Sequence, residues 1–178
     1  MSSKLARVAA DGKKYNIIYN DPYAYWMSKN KTKKFVSKVK SLSKVKGNRR
    51  QKICRIDKWF VKNCKYDYSY SKYEAHNAIL DKKAVCSGFS KAVGAICYKA
   101  DIPCETVTWN NHAWNSVKIG NQGYHVDVTW DVCTGYGNWI LRGCNDKKFN
   151  KEHKITKSFY KHNKAKKYFG KKNLSRKI

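Results

Sequence analysis

The apolar positions of this chain keep helical spacing up to about residue 100 and alternate thereafter. Residues 1–30 show no sustained period, and Asp21-Pro22-Tyr23 reads as a turn or a helix start. From Thr32 to Val45 the set Phe35, Val36, Val39, Leu42 and Val45 follows a helix, with Gly47 as a stop. A second helix runs from about Asn48 to Cys64, with Ile53, Ile56, Phe60 and Cys64 on one stripe. Lys and Arg fill the other faces of both helices. Packing of the stripes on a core explains this pattern, and binding to a membrane surface is the sharper alternative. Tyr66 to Tyr73 is a Tyr/Ser-rich connection, and Ala75–Leu80 is a short helix ended by Asp81-Lys82-Lys83. A third long helix starts near Cys86 and runs to about Ala100, burying Phe89, Val93, Ile96, Cys97 and Ala100, with Pro103 just beyond its end.

Three strand-like runs follow: Cys104–Trp109, His112–Lys118 and Gly123–Trp130. Ile119-Gly120-Asn121-Gln122 joins the last two as a hairpin. An even loop makes directly paired positions sum to an odd number, so His112 and Asp127 share one face of the hairpin. Trp114, Ser116, Lys118, His125 and Thr129 join them there, opposite Ala113, Val117, Val126, Val128 and Trp130. The expectation is one polar side and one packed side. Trp139-Ile140-Leu141 offers one more short strand, and the Lys-rich end of the chain is expected to be partly helical or frayed.

Charge divides the chain more sharply than hydropathy does. Residues 1–60 hold 17 Lys/Arg against 3 acids, residues 61–146 hold 9 against 8, and residues 147–178 hold 13 against Glu152 alone. The net +27 therefore sits on two flanks around a nearly neutral middle. Such flanks suit a nucleic acid, an anionic membrane or an anionic polymer, although an excess that is mostly Lys also fits a merely solvated surface. A hydrophobic fraction of 42% is enough for a core. The seven cysteines are odd in number and lack C-x-x-C spacing. That argues against zinc and against a disulfide framework, and for a reducing compartment. Cys97 and Cys104, either side of a helix end, read as small buried residues. Neither a phosphate loop nor a metal-ligand spacing occurs, so no cofactor and no metal is expected. No apolar run reaches signal-peptide or membrane-span length, which favours a cytoplasmic protein unless an export signal has been removed.

The neutral middle holds the chemistry. Cys86 stands at the head of a predicted helix, where the helix dipole favours a thiolate and free backbone N–H groups can serve an oxyanion. Ser87 and Gly88 are small enough to let a carbonyl approach. His112 on a strand can act as base, and Asp127 on the next strand can hold the ring by its second nitrogen. Trp114 and Trp130 read as packing residues, His125 as structural or rim, and Asp131 as a cap at the strand end.

Val85-Cys86-Ser87-Gly88-Phe89, His112-Ala113-Trp114-Asn115 and Val126-Asp127-Val128-Thr129-Trp130-Asp131 resemble, in order, the three motifs of the bacterial transglutaminase-like family of papain-like thiol enzymes. The similarity reaches upstream to residues 61–68 and downstream to residues 145–153. The resemblance implies an α+β papain-like/transglutaminase-like core, with the nucleophile helix packed against a small antiparallel sheet. It implies nucleophile Cys86, base His112 and orienting Asp127. One departure is the link Asn110-Asn111, shorter than in many relatives, which leaves the cleft rim open to question. The second oxyanion donor is unassigned among Tyr66, Tyr73 and Asn77.

The expected organisation is a basic N-terminal segment with a helix packed on the core (1–48), a transglutaminase-like catalytic core (49–155) and a Lys-rich extension (156–178). The expected activity is that of a cysteine-dependent amide hydrolase or acyltransferase on a protein or peptide substrate, acting through a thioester, with hydrolysis favoured over crosslinking. The alternative is a catalytically weak module that holds an anionic partner through its basic flanks.

Overall fold

The two basic amphipathic helices form where their apolar spacing places them, as α1 (Lys29–Ser43) and α2 (Arg49–Asn63). The computed structural model describes residues 29–162 and 168–178; the turn read at Asp21-Pro22-Tyr23 lies outside them. Asn48 caps α2 by accepting from the Gln51 backbone N–H, and the Gln51 side chain accepts from the Asn48 N–H in return. Phe35, Val39 and Leu42 of α1 and Ile53, Ile56 and Phe60 of α2 enter the main core.

Past α2, β1 (Lys65–Tyr66) pairs in parallel with β2 (Lys83–Ala84). The loop between them is shaped by buried Asp67, whose carboxylate accepts from the backbone N–H groups of Ser69, Ser71 and Lys72. The short helix expected at Ala75–Leu80 is a wide π-type turn over Asn77–Asp81, and Lys82 closes it at φ 56°. β2 leads straight into α3 (Cys86–Lys99), which packs across β3 and β4 with Phe89, Val93 and Ile96 turned into the core.

β3 (Cys104–Trp109), β4 (His112–Ile119), β5 (Gln122–Val126) and β6 (Ile140–Arg142) form one antiparallel sheet in that order. Asn110 and Asn111 both take positive φ, 48° and 58°, in the tight turn that pairs Trp109 with His112. Asparagine tolerates this backbone, and its twist matches the strands. The β4–β5 turn is shorter than expected: Ile119 pairs with Gln122, leaving Gly120 and Asn121 as the loop. The loop stays even, so the face assignment along β4 and β5 survives.

Two expectations about that hairpin need correction. The third strand ends at Val126. Asp127 is the N-cap of a short helix, α4 (Val128–Thr134), its side chain accepting from the Trp130 N–H. Asp in this position captures a free helix N–H and stops the strand. The supposed polar face is also no open surface. Trp114, Ser116 and His125 are all buried. An aromatic cluster of Trp114, Trp139, Phe149 and Phe159 covers that side, and Trp130 joins it instead of the opposite core. The sheet is thus covered on both faces, by α1–α3 on one and by α5 (Lys147–Glu152) and α6 (Lys157–His162) on the other.

The Lys-rich end, expected to be partly helical or frayed, is helical over Lys157–His162 and packed from residue 168 onward. Phe169 is buried and bridges Gly123 at β5, the Leu174 N–H donates to the Leu141 carbonyl, and Arg50 donates to the Ser175 and Lys177 carbonyls. Few apolar residues suffice there because backbone bonds do the anchoring. Among the described residues, no helix is long and apolar enough to cross a membrane.

Candidate active site

Cys86 is the first residue of α3, after extended Val85. It is held there by the β1–β2 pairing and by the Val85 N–H, which donates to the Lys72 carbonyl. Gly88 makes this possible in a way that the sequence did not suggest. A Cβ at position 88 would lie 2.8 Å from Ala84 Cβ and 3.1 Å from the Glu74 carbonyl oxygen. Its smallness serves the close approach of helix and loop, and not room for a substrate. Ser87 is the residue of the pair that lines the cleft.

His112 is the first residue of β4, and the Asn110-Asn111 turn sets it beside α3. Its Nε2 lies 2.6 Å from Asp127 Oδ2, which leaves Nδ1 as the ring nitrogen for the sulfur. Burial pushes the Cys86 thiol up, but a hydrogen bond from His112 and the backbone N–H groups of Ala113 and Ser87 outweigh it, and the thiol ends below its ordinary value. For His112, burial opposes the charged ring, yet Asp127 and Cys86 together raise it to about 9. Both shifts favour a thiolate beside an imidazolium. Asp127 is fully buried and still held below the ordinary carboxylate value: burial raises it, and the bonds from two imidazoles lower it by more.

The second imidazole was not foreseen. His153, at the C-terminal end of α5, places Nε2 2.7 Å from the same Oδ2. The only signal in the sequence is its place at the end of the downstream stretch 145–153. His112, Asp127 and His153 are the one set of described residues whose donor atoms could hold a metal. Both rings meet a single carboxylate oxygen at hydrogen-bonding separation.

Cys86 and Ser87 on one side and residues 108–113 on the other enclose a shallow, open cleft of about 490 Å³. Of the three candidate oxyanion donors, Asn77 is engaged with Asp81 and the Glu74 N–H. Tyr73 is exposed, and Tyr66 lies within electrostatic reach of Cys86. His125 is structural: it accepts from Trp114 Nε1 at 3.1 Å, and burial lowers it to about 3, which keeps it neutral. Asp131 sits inside α4 and caps the entry to β6 through the Asn138 and Trp139 N–H groups.

A cysteine at a helix start, facing a histidine at a strand start and an aspartate that caps the helix after the third strand of the sheet, defines a papain-like, transglutaminase-like fold. The chain belongs to the transglutaminase-like superfamily, whose family model matches residues 36–140. Among solved structures it is similar to a candidate cysteine protease from Cytophaga hutchinsonii, with 22% identity and a TM-score of 0.43 over 56% of this chain and 37% of that one. It is also similar to a TGase, with 16% identity and a TM-score of 0.48 over 71% of this chain and 38% of that one. The chain thus spans well under half the length of either protein. No curated protein matches it.

Proposed function

We propose that this protein is a thiol enzyme acting on protein or peptide amide bonds, with Cys86 as nucleophile, His112 as acid and base, and Asp127 as the group that orients His112. The observation that carries this reading is the unbroken chain from the lowered Cys86 thiol through His112 to buried Asp127, with the sulfur at the wall of an open cleft. The sulfur attacks the carbonyl carbon, and the backbone N–H groups around Cys86 receive the oxyanion. As the C–N bond breaks, His112 gives its proton to the departing amine and a thioester remains. A water molecule, deprotonated by His112, then attacks the thioester; the acid leaves and the thiol is restored. Hydrolysis is favoured over crosslinking because the cleft is shallow and open to water.

Iodoacetamide labelling at pH 6, read by mass spectrometry, tests the reading. Cys86 is expected to react faster than the other six thiols, and His112→Ala to abolish the difference. Equal rates in the native protein overturn the proposal.

A second reading has one observation behind it. A groove of about 690 Å³ beside α1 is lined by Lys33, Lys34, Lys38 and Lys82. It suits an anionic partner held by charge, and such binding weakens steeply with salt. Salt-dependent binding with no turnover on amide substrates, and no effect of Cys86→Ala, favours this reading over the first.

A further inference from the structure

Asp127 accepts three hydrogen bonds. The Trp130 N–H meets Oδ1 at 3.1 Å, and His112 Nε2 and His153 Nε2 meet Oδ2 at 2.6 and 2.7 Å. The two rings lie 5.6 Å apart between centroids, tilted by 54°. The His153 side chain is fully buried. Its ring stacks on Phe149 at 3.8 Å and packs against Trp130 at 4.5 Å, and its Nδ1 lies 3.1 Å from the Phe149 carbonyl oxygen. A polar ring in so dry a cage is costly unless its nitrogens are bonded, and here each has an acceptor.

We propose that His153 is a positioning residue of this site: its Nε2–H clamps Asp127 Oδ2, fixing the carboxylate and through it the plane of the His112 ring. The proposal rests on the reading of Cys86, His112 and Asp127 as a thiol centre. An aspartate carboxylate turns freely about its last torsion, because that torsion has broad, two-fold wells. With His112 and Trp130 alone, one lone pair of the fully buried Oδ2 would stay empty. The second imidazole fills it, and two ring donors converging on Oδ2, with the Trp130 N–H on Oδ1, narrow the rotation further. Oδ2 remains aimed at His112 through the protonation changes of a reaction cycle. The titratable groups around the cluster are His112 and Cys86 towards the cleft, His125 from β5, Asp57 from α2, and Asp131 and Cys133 from α4.

The test compares His153→Gln, whose amide nitrogen reaches the place of Nε2, with His153→Asn, whose amide reaches only the place of Nδ1. The readout is the pH profile of Cys86 alkylation, with His112→Ala as reference. The glutamine variant is expected to stay within about threefold of the native rate at pH 6. The asparagine variant is expected to fall by about 10- to 100-fold, its profile moving towards that of His112→Ala. Asparagine at the native rate, or equal losses in both folded variants, would sink the proposal. A native Cys86 that is slow, and indifferent to His112→Ala, instead refutes the thiol centre itself. Nitrogen-15 spectra of the histidine-labelled native protein decide independently of variant folding. Two ring N–H protons at low field, both displaced in Asp127→Asn, are expected, and an unprotonated His153 Nε2 overturns the clamp.

Discussion

Asp57 on α2 and Asp131 on α4 are both buried within electrostatic reach of each other, and both Asp57 oxygens and Asp131 Oδ2 lack a hydrogen-bond partner. Two carboxylates buried this near each other do not both ionise, so the pair keeps a proton. Burial and the neighbouring acid raise Asp131 to about 7 and Asp57 well above its ordinary value. The unfolded chain releases these protons near pH 4. Folding therefore takes up a proton between about pH 4 and 7, and stability falls as pH rises through that window. Asp57→Asn replaces the proton-bearing partner with an amide that donates at any pH. Thermal unfolding should show the variant near the native Tm at pH 4.5 and more stable at pH 8, by about 1 kcal/mol or about 3 °C. A constant difference across pH would contradict the retained proton.

Acid and base limbs at the cleft should differ in origin. The lowered Cys86 thiol makes alkylation fast already at pH 6. Turnover should fall above pH 9, where His112, raised to about 9, loses the proton that the leaving amine needs. Asp127→Ala removes the main support of the imidazolium, so the high-pH limb should move down by at least one unit and alkylation at pH 6 should slow. Steady-state rates and labelling on one pH series check both.

Gly88 is expected to tolerate no side chain. Gly88→Ala forces a methyl to 2.8 Å from the Ala84 Cβ and towards the backbone carbonyls of Glu74 and Lys72. A loss of about 1–3 kcal/mol in urea unfolding is expected. Since the helix start that carries Cys86 must shift, the labelling rate of Cys86 should fall as well.

Phe169 tests the chain end. It is buried against Tyr160 and His125, with a ring separation of 4.2 Å from the latter. Phe169→Ala should cost about 3 kcal/mol by denaturant unfolding. A neutral result would mean that residues 168–178 lie loose in solution.

The helices and their faces were legible because periodicity is local. Phe35, Val39, Ile53, Phe60, Phe89 and Val93 are all core residues, as their spacing demanded. Cys86 at a helix start and His112 at a strand start could be read for the same reason: both are properties of a few consecutive residues. The shared side of His112 and Asp127 followed from loop parity alone. Asp127 was placed on a strand because Val126 and Val128 continue the apolar alternation. A capping bond to the Trp130 N–H outweighed that preference and turned the chain into α4.

What lay beyond the sequence is what depends on distant partners. Nothing local marks His153 as a neighbour of Asp127, 26 positions earlier, or Asp57 as a neighbour of Asp131. The burial of Trp114, Ser116 and His125 depended on α5 and α6 folding over a face that reads as half polar. Sequence by itself determined the three long helices, the strands β3 and β4 and the family, because these rest on short-range stereochemistry and residue type. Only tertiary packing decided which polar groups lose water and which donors they meet instead, and those two facts set the proton affinities on which the chemistry of the cleft depends.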